Sequence, residues 1–186
     1  MSQASETFAE AILDAENLLQ HFNELNTQPP PPQIEVLKRA GLVMATTAWE
    51  TYVEDRVSEA CEERLKNLPD PEIASFVSAR LSEEIKRLNN PDYAKTLRLF
   101  QDYAGIDLHD AWCWNNCEHA AVRKRLDHYL KKRGEVVHRS RPVAQYSHGH
   151  AVKKEELEKA ISFLKNLIDA TERAFNPSPD NSVASG

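Results

Sequence analysis

Between Gln33 and Leu65 the chain meets no proline and a single glycine, Gly41. That run far exceeds an ordinary β-strand of ~5–6 residues. Its apolar residues Ile34, Leu37, Leu42, Ala45, Trp49, Val53, Val57 and Ala60 return mostly every three or four positions, which lines them along one face of a helix. Pro29–Pro32 before it and Pro69 and Pro71 after it end the run, because proline lacks the amide hydrogen and fixes φ. A helix of this length must bury its stripe against other elements.

Those other elements are helical too. Phe8, Ile12, Ala15, Leu19, Phe22 and Leu25 mark a helix over residues 5–25. A third helix is predicted over 72–88, stopped by Asn89–Asn90–Pro91. A short fourth starts near Pro91, carries Tyr93, Leu97, Phe100 and Tyr103, and is capped by Gly105. A fifth runs over 117–137 with Leu126, Leu130, Val136 and Val137 as its apolar positions, and a sixth over 153–175 with Leu157, Ile161, Leu164, Ile168 and Phe175. Residues 141–150 read as a loop. No stretch alternates as a strand would. The reading is an all-α, up-and-down helical bundle with extra short helices, one domain over 1–176, followed by a polar tail over 177–186 expected to be disordered.

Composition narrows the function classes. No segment approaches the ~18 apolar residues of a membrane span. The opening MSQASETFAEAI has neither the basic nor the apolar part of a signal peptide, and three cysteines suit a reducing compartment, so a cytoplasmic protein without membrane attachment is expected. The net charge of −6 argues against general nucleic-acid binding by the whole surface. The charge is uneven, however. From Val122 to Lys154 the bases Arg123, Lys124, Arg125, Lys131, Lys132, Arg133, Arg139, Arg141, Lys153 and Lys154 face only Asp127 and Glu135. A polyanionic partner fits there.

Three clusters could carry chemistry. His109, Cys113 and Cys117, with His119 close by, would form one stripe if helical, but positions i and i+8 lie about 12 Å apart, too far to share one ion at ~2.0–2.3 Å. No metal and no other cofactor is expected. In AWETYVED (48–55), Glu50 and Glu54 stand one turn apart; solvation explains such a pair, or one of them reaches a cation on a neighbouring helix and orients it. In KKRGEVVHRS (131–140), Arg133 and His138 form an R-x4-H pair followed by Arg139. Histidine moves protons near neutrality, and arginine stabilises a phosphoryl transition state. Those two suffice for RNA cleavage by the substrate's own 2′-OH. The alternatives are a phosphate-binding patch or a charged helix end. Positions five apart lie about 140° apart around a regular helix, so either Gly134 distorts the backbone or two copies of the chain share the site.

The helix carrying AWETYVED, followed later by RLDHYLKKRGEVVHRS, resembles the HEPN superfamily, and within it the RiboL-PSP or MAE-type proteins, over roughly residues 35–175. The resemblance implies a four-helix bundle that dimerises. It implies a metal-independent endoribonuclease of toxin–antitoxin or defence systems, with RNA and an antitoxin or other defence-system protein as partners. By position it assigns Arg133 and His138 as catalytic and Glu50 or Glu54 as the orienting acid. Lys132, Arg139 and Arg141 are the expected RNA contacts. Two positions depart from the superfamily: Gly134 stands where Asn, Asp or His often follows the arginine, and Arg139 where a small residue often follows the histidine. Some HEPN domains act only as dimerisation or protein-interaction modules, which is the alternative reading.

Overall fold

The computed structural model describes residues 2–27, 31–114, 117–138 and 152–176, with Pro32 and His138 described by their backbone alone. Helix α1 (Gln3–Leu25) is followed by a single 3-10 turn (Pro32–Ile34) and the long α2 (Glu35–Leu65). Then come α3 (Pro71–Lys86), α4 (Tyr93–Leu99) with a π turn (Phe100–Ala104) in continuation, α5 (His119–His138) and α6 (Lys154–Phe175). No strand occurs among the described residues; Trp114 and Cys117 form one isolated bridge.

Helix α1 packs along α2, α6 lies against both, and α5 packs on α2 and α4. The core is the meeting of these stripes: Phe8, Ile12, Trp49, Val53, Leu126 and Leu164 are all buried. Gly41 has a packing reason to interrupt α2. A Cβ there would stand 2.8 Å from Leu157 Cδ2, so glycine lets α6 approach. The buried indoles keep hydrogen-bond partners: Trp112 Nε1 donates to Thr171 Oγ1 (2.9 Å) and Trp49 Nε1 to the Pro91 carbonyl (3.0 Å). An unpaired buried donor would be costly.

A polar cluster sits inside this frame. Glu172 on α6 accepts from Ser2 Oγ (2.9 Å), Tyr52 OH (2.8 Å) and Arg56 Nε (2.8 Å). The Arg56 guanidinium lies 3.4 Å over the Phe175 ring. Burial, then the Glu172 charge, pushes the Tyr52 phenol upward. The cluster joins the chain's first residues to α2 and α6.

Gly105 caps the preceding helix as the sequence suggests, with a left-handed φ of 66° and its N–H closing on the Phe100 carbonyl; residues 105–114 then form no helix, so His109 and Cys113 do not lie on a helical stripe. A side chain at Gly105 would also strike Arg64, whose Nη1 donates to the Ala104 carbonyl at 2.6 Å. Helix α3 buries only Leu81, leaving Ile73 and Phe76 exposed. Leu25 and Val137, assigned to buried stripes, are exposed. The loop over 141–150 and the tail over 177–186 lie outside the described residues.

Candidate functional site

Two helices and one turn converge on Arg133. Helix α5 carries its apolar face, Val122, Leu126, Tyr129 and Leu130, into the core, which turns Arg133 towards α2 and the connection between α3 and α4. Arg133 Nη2 lies 3.5 Å from Glu50 Oε2, and Arg133 Nη1 donates to Asn90 Oδ1 at 2.8 Å. Glu50 Oε1 in turn accepts the Asn90 backbone N–H at 3.1 Å. The three groups close a ring of contacts between α2, α5 and the turn. The Arg133 side chain stays 24 % exposed, so an incoming anion can reach it.

The turn is fixed from several sides. Its Pro91 carbonyl accepts from Trp49 and from Thr96 Oγ1 (3.2 Å). Just beyond, Tyr93 N–H donates to Asp127 Oδ1 of α5 at 3.2 Å. Lys95 Nζ donates to the Asn89 carbonyl at 2.8 Å.

The remaining candidates fall in different places. Glu54 stays outside the ring; burial, then the charges of Glu50 and Asp55, pushes its carboxyl upward. Lys132 turns the other way, where Glu156 of α6 accepts its ammonium and also lies 3.0 Å from His128 Nε2. Burial alone would raise the Glu156 pKa, but the hydrogen bonds from Lys132 and His128 lower it on balance. As a site for RNA phosphate, Lys132 is therefore already engaged. Arg139 and Arg141 lie outside the described residues.

Helix α5 stays α-helical from His119 through His138, and Gly134 has no left-handed φ. The local distortion that could aim Arg133 and His138 at one phosphate is thus missing from the backbone. The two positions remain about 140° apart around the helix.

His109 and Asp110 meet His119, the first residue of α5, with their ligand atoms within 4.8 Å of one another. The cysteines do not share this grouping, contrary to the helical stripe. The two imidazoles are stacked, centroids 4.2 Å apart and planes 17° from parallel. Lone pairs in nearly parallel planes run side by side instead of converging on an ion at ~2 Å.

Asn90 is the site residue that sequence reasoning missed. Its signal was present: asparagine tolerates left-handed backbone better than other non-glycine residues, and Asn89–Asn90–Pro91 was read only as a helix breaker.

The model of the family described as RiboL-PSP-HEPN matches residues 10–177. The chain belongs to that family. No match was found among curated proteins or among solved structures.

Proposed function

We propose that the chain is a metal-independent endoribonuclease of the HEPN type, acting as a homodimer. One observation carries this reading: a partly exposed guanidinium, Arg133, is held by an acid from another helix and an amide from a turn, at 3.5 and 2.8 Å. That arrangement suits stabilisation of charge developing on a phosphate. In the reaction the 2′-oxygen of RNA bonds to the adjacent phosphorus and the bond to the 5′-oxygen breaks. The proton from the 2′-OH ends on the departing 5′-oxygen, relayed by His138. Arg133 stabilises the phosphorane, Glu50 orients Arg133, and Arg139 and Arg141 grip flanking phosphates. Because α5 is regular, the arginine of one copy works with the histidine of the other. A toxin or defence role, with an antitoxin or other protein as regulator, and a cytoplasmic setting follow from the same reading. No described helix is long and apolar enough to cross a membrane.

The test compares wild type with His138→Ala and Arg133→Ala on an RNA and on its 2′-deoxy counterpart, in EDTA. Wild type cuts only the RNA. Loss of proton transfer lowers the rate ~10²–10⁴-fold in His138→Ala, and Arg133→Ala falls at least as far. Cleavage of the DNA, or equal cutting by wild type and His138→Ala, removes the mechanism.

The second reading, a protein-interaction module, is favoured by Ile73 and Phe76 standing 51 % and 67 % exposed on α3. A folded wild type that cuts no RNA decides for it.

A further inference from the structure

We propose that Asn90 is the positioning residue for Arg133, its side-chain oxygen fixing one arm of the guanidinium while its backbone N–H fixes the Glu50 carboxylate that holds the other. The inference rests on the endoribonuclease reading for its catalytic consequence, and on geometry alone for the positioning.

Asn90 has φ 51°, the one non-glycine residue with positive φ among those described. It also precedes Pro91, and a residue before proline is normally extended with negative φ. Asparagine tolerates the left-handed region better than most side chains, but it does not gain from being there. Strain of this kind persists only where surroundings impose it. Here the constraints are visible. Asn90 gives its N–H to Glu50 Oε1 at 3.1 Å, its own carbonyl accepts the Asp92 N–H at 2.8 Å, and one residue further on the Pro91 carbonyl accepts Trp49 Nε1 at 3.0 Å. Between these contacts, the side chain is delivered to Arg133 Nη1 at 2.8 Å. Arginine only donates, so the amide oxygen is the atom that faces it.

The chemistry explains why an amide serves here. Two carboxylates around one guanidinium would neutralise it twice and leave little charge for a phosphate. One carboxylate and one neutral oxygen fix both arms and keep the field of the cation.

The test uses the full-length protein and three variants. Asn90→Gly keeps the left-handed backbone without strain and removes only the amide. Asn90→Asp keeps an oxygen in place and adds a charge. Asn90→Ala strains the backbone and serves as the structural control. Two readouts are taken: side-chain ¹⁵N NMR of the Arg133 guanidinium, assigned with Arg133→Lys, and RNA cleavage.

In wild type, rotation of the Arg133 guanidinium is slow enough to give separate Nη signals. In Asn90→Gly they merge, kcat falls ~10–100-fold, KM changes by less than ~3-fold, and the melting temperature stays near wild type. Asn90→Asp restores the separate signals but not kcat. Merged signals in wild type, or unchanged signals and kcat in Asn90→Gly, overturn the proposal. So does full activity in Asn90→Asp, because the charge argument then fails. Separate signals in wild type that merge in Asn90→Gly, in a protein that cuts no RNA, keep the positioning role and remove the nuclease reading instead.

Discussion

Helix α2 forms an arginine–glutamate pair with each of two other helices, and the two are built in opposite ways. Arg56 and Glu172 meet at 2.8 Å with side chains 9 % and 15 % exposed. A phenol and a serine hydroxyl donate to the same carboxylate oxygen, Oε1, that takes the Arg56 Nε–H, and an aromatic ring lies over the guanidinium. Arg133 and Glu50 meet at 3.5 Å, with side chains 24 % and 20 % exposed, and with a strained asparagine completing the contact. The first pair is the more buried and carries two further donors, which is what a buried charge needs in order to persist. The second is longer and more exposed. Two pairs of the same chemistry on one helix thus differ in how readily the guanidinium is reached.

That contrast is easiest to break by thermal unfolding. Glu172→Ala leaves the buried Arg56 with only the longer Glu59 contact at 3.9 Å, and the predicted loss is roughly 3 kcal/mol, the lower end for breaking a buried pair. Glu50→Gln, which still offers an oxygen to Asn90 N–H, should cost less than about 1 kcal/mol. If both substitutions lower the melting temperature equally, the second pair is as structural as the first.

A smaller effect comes from the Glu156 contact with Lys132 and His128. Its carboxyl is held below the usual range in the folded protein. A lowered folded pKa contributes stability above the unfolded carboxylate value, and the contribution disappears as pH falls through the folded one. Wild type should therefore lose about 1 kcal/mol more than Glu156→Gln on acidification across that window, after allowing for solvent screening. Urea melts of the two proteins at neutral and acidic pH measure the difference; parallel curves would mean that the contact is not formed in solution.

The smallest effect has the opposite sign. Glu54 is pushed upward by burial and by its acidic neighbours. A raised carboxyl pKa means that the charged form is penalised at neutral pH and that the penalty lifts as pH falls below the folded value. Glu54→Gln should then stabilise the protein at neutral pH by about 0.2–0.5 kcal/mol, the size of a like-charge pair one turn apart. No gain would indicate that Glu54 has a favourable partner, which would bring it back as an orienting acid.

Helices with proline-marked ends were legible because their limits are set locally: Pro29–Pro32 and Asn89–Asn90–Pro91 break the chain wherever they occur. The path after Gly105 was not. His109, Cys113 and Cys117 keep a helical spacing, but over residues 105–114 the left-handed Gly105 and the burial of Leu108 and Trp112 set the path, and burial is a property of the whole fold. At the candidate site, an acid on α2 opposite a cation on α5 could be read as a choice between Glu50 and Glu54. Which of them faces Arg133 depends on how α2 and α5 pack, and that is not written in spacing. Leu25 and Val137 show the same limit: both stand at apolar positions of their helices, and only the packing leaves them uncovered.

The bond from Trp49 to the Pro91 carbonyl joins the most buried ring of α2 to the turn that carries Asn90. A bolt of that kind makes the site a gauge of the interior. Any substitution that lets the indole settle by a fraction of an ångström into a neighbouring void will drag the turn with it, and the guanidinium will drift off its aim while every helix is still in place. Under the proposed nuclease reading, cleavage is therefore the first thing a loosened core gives up, and melting the last.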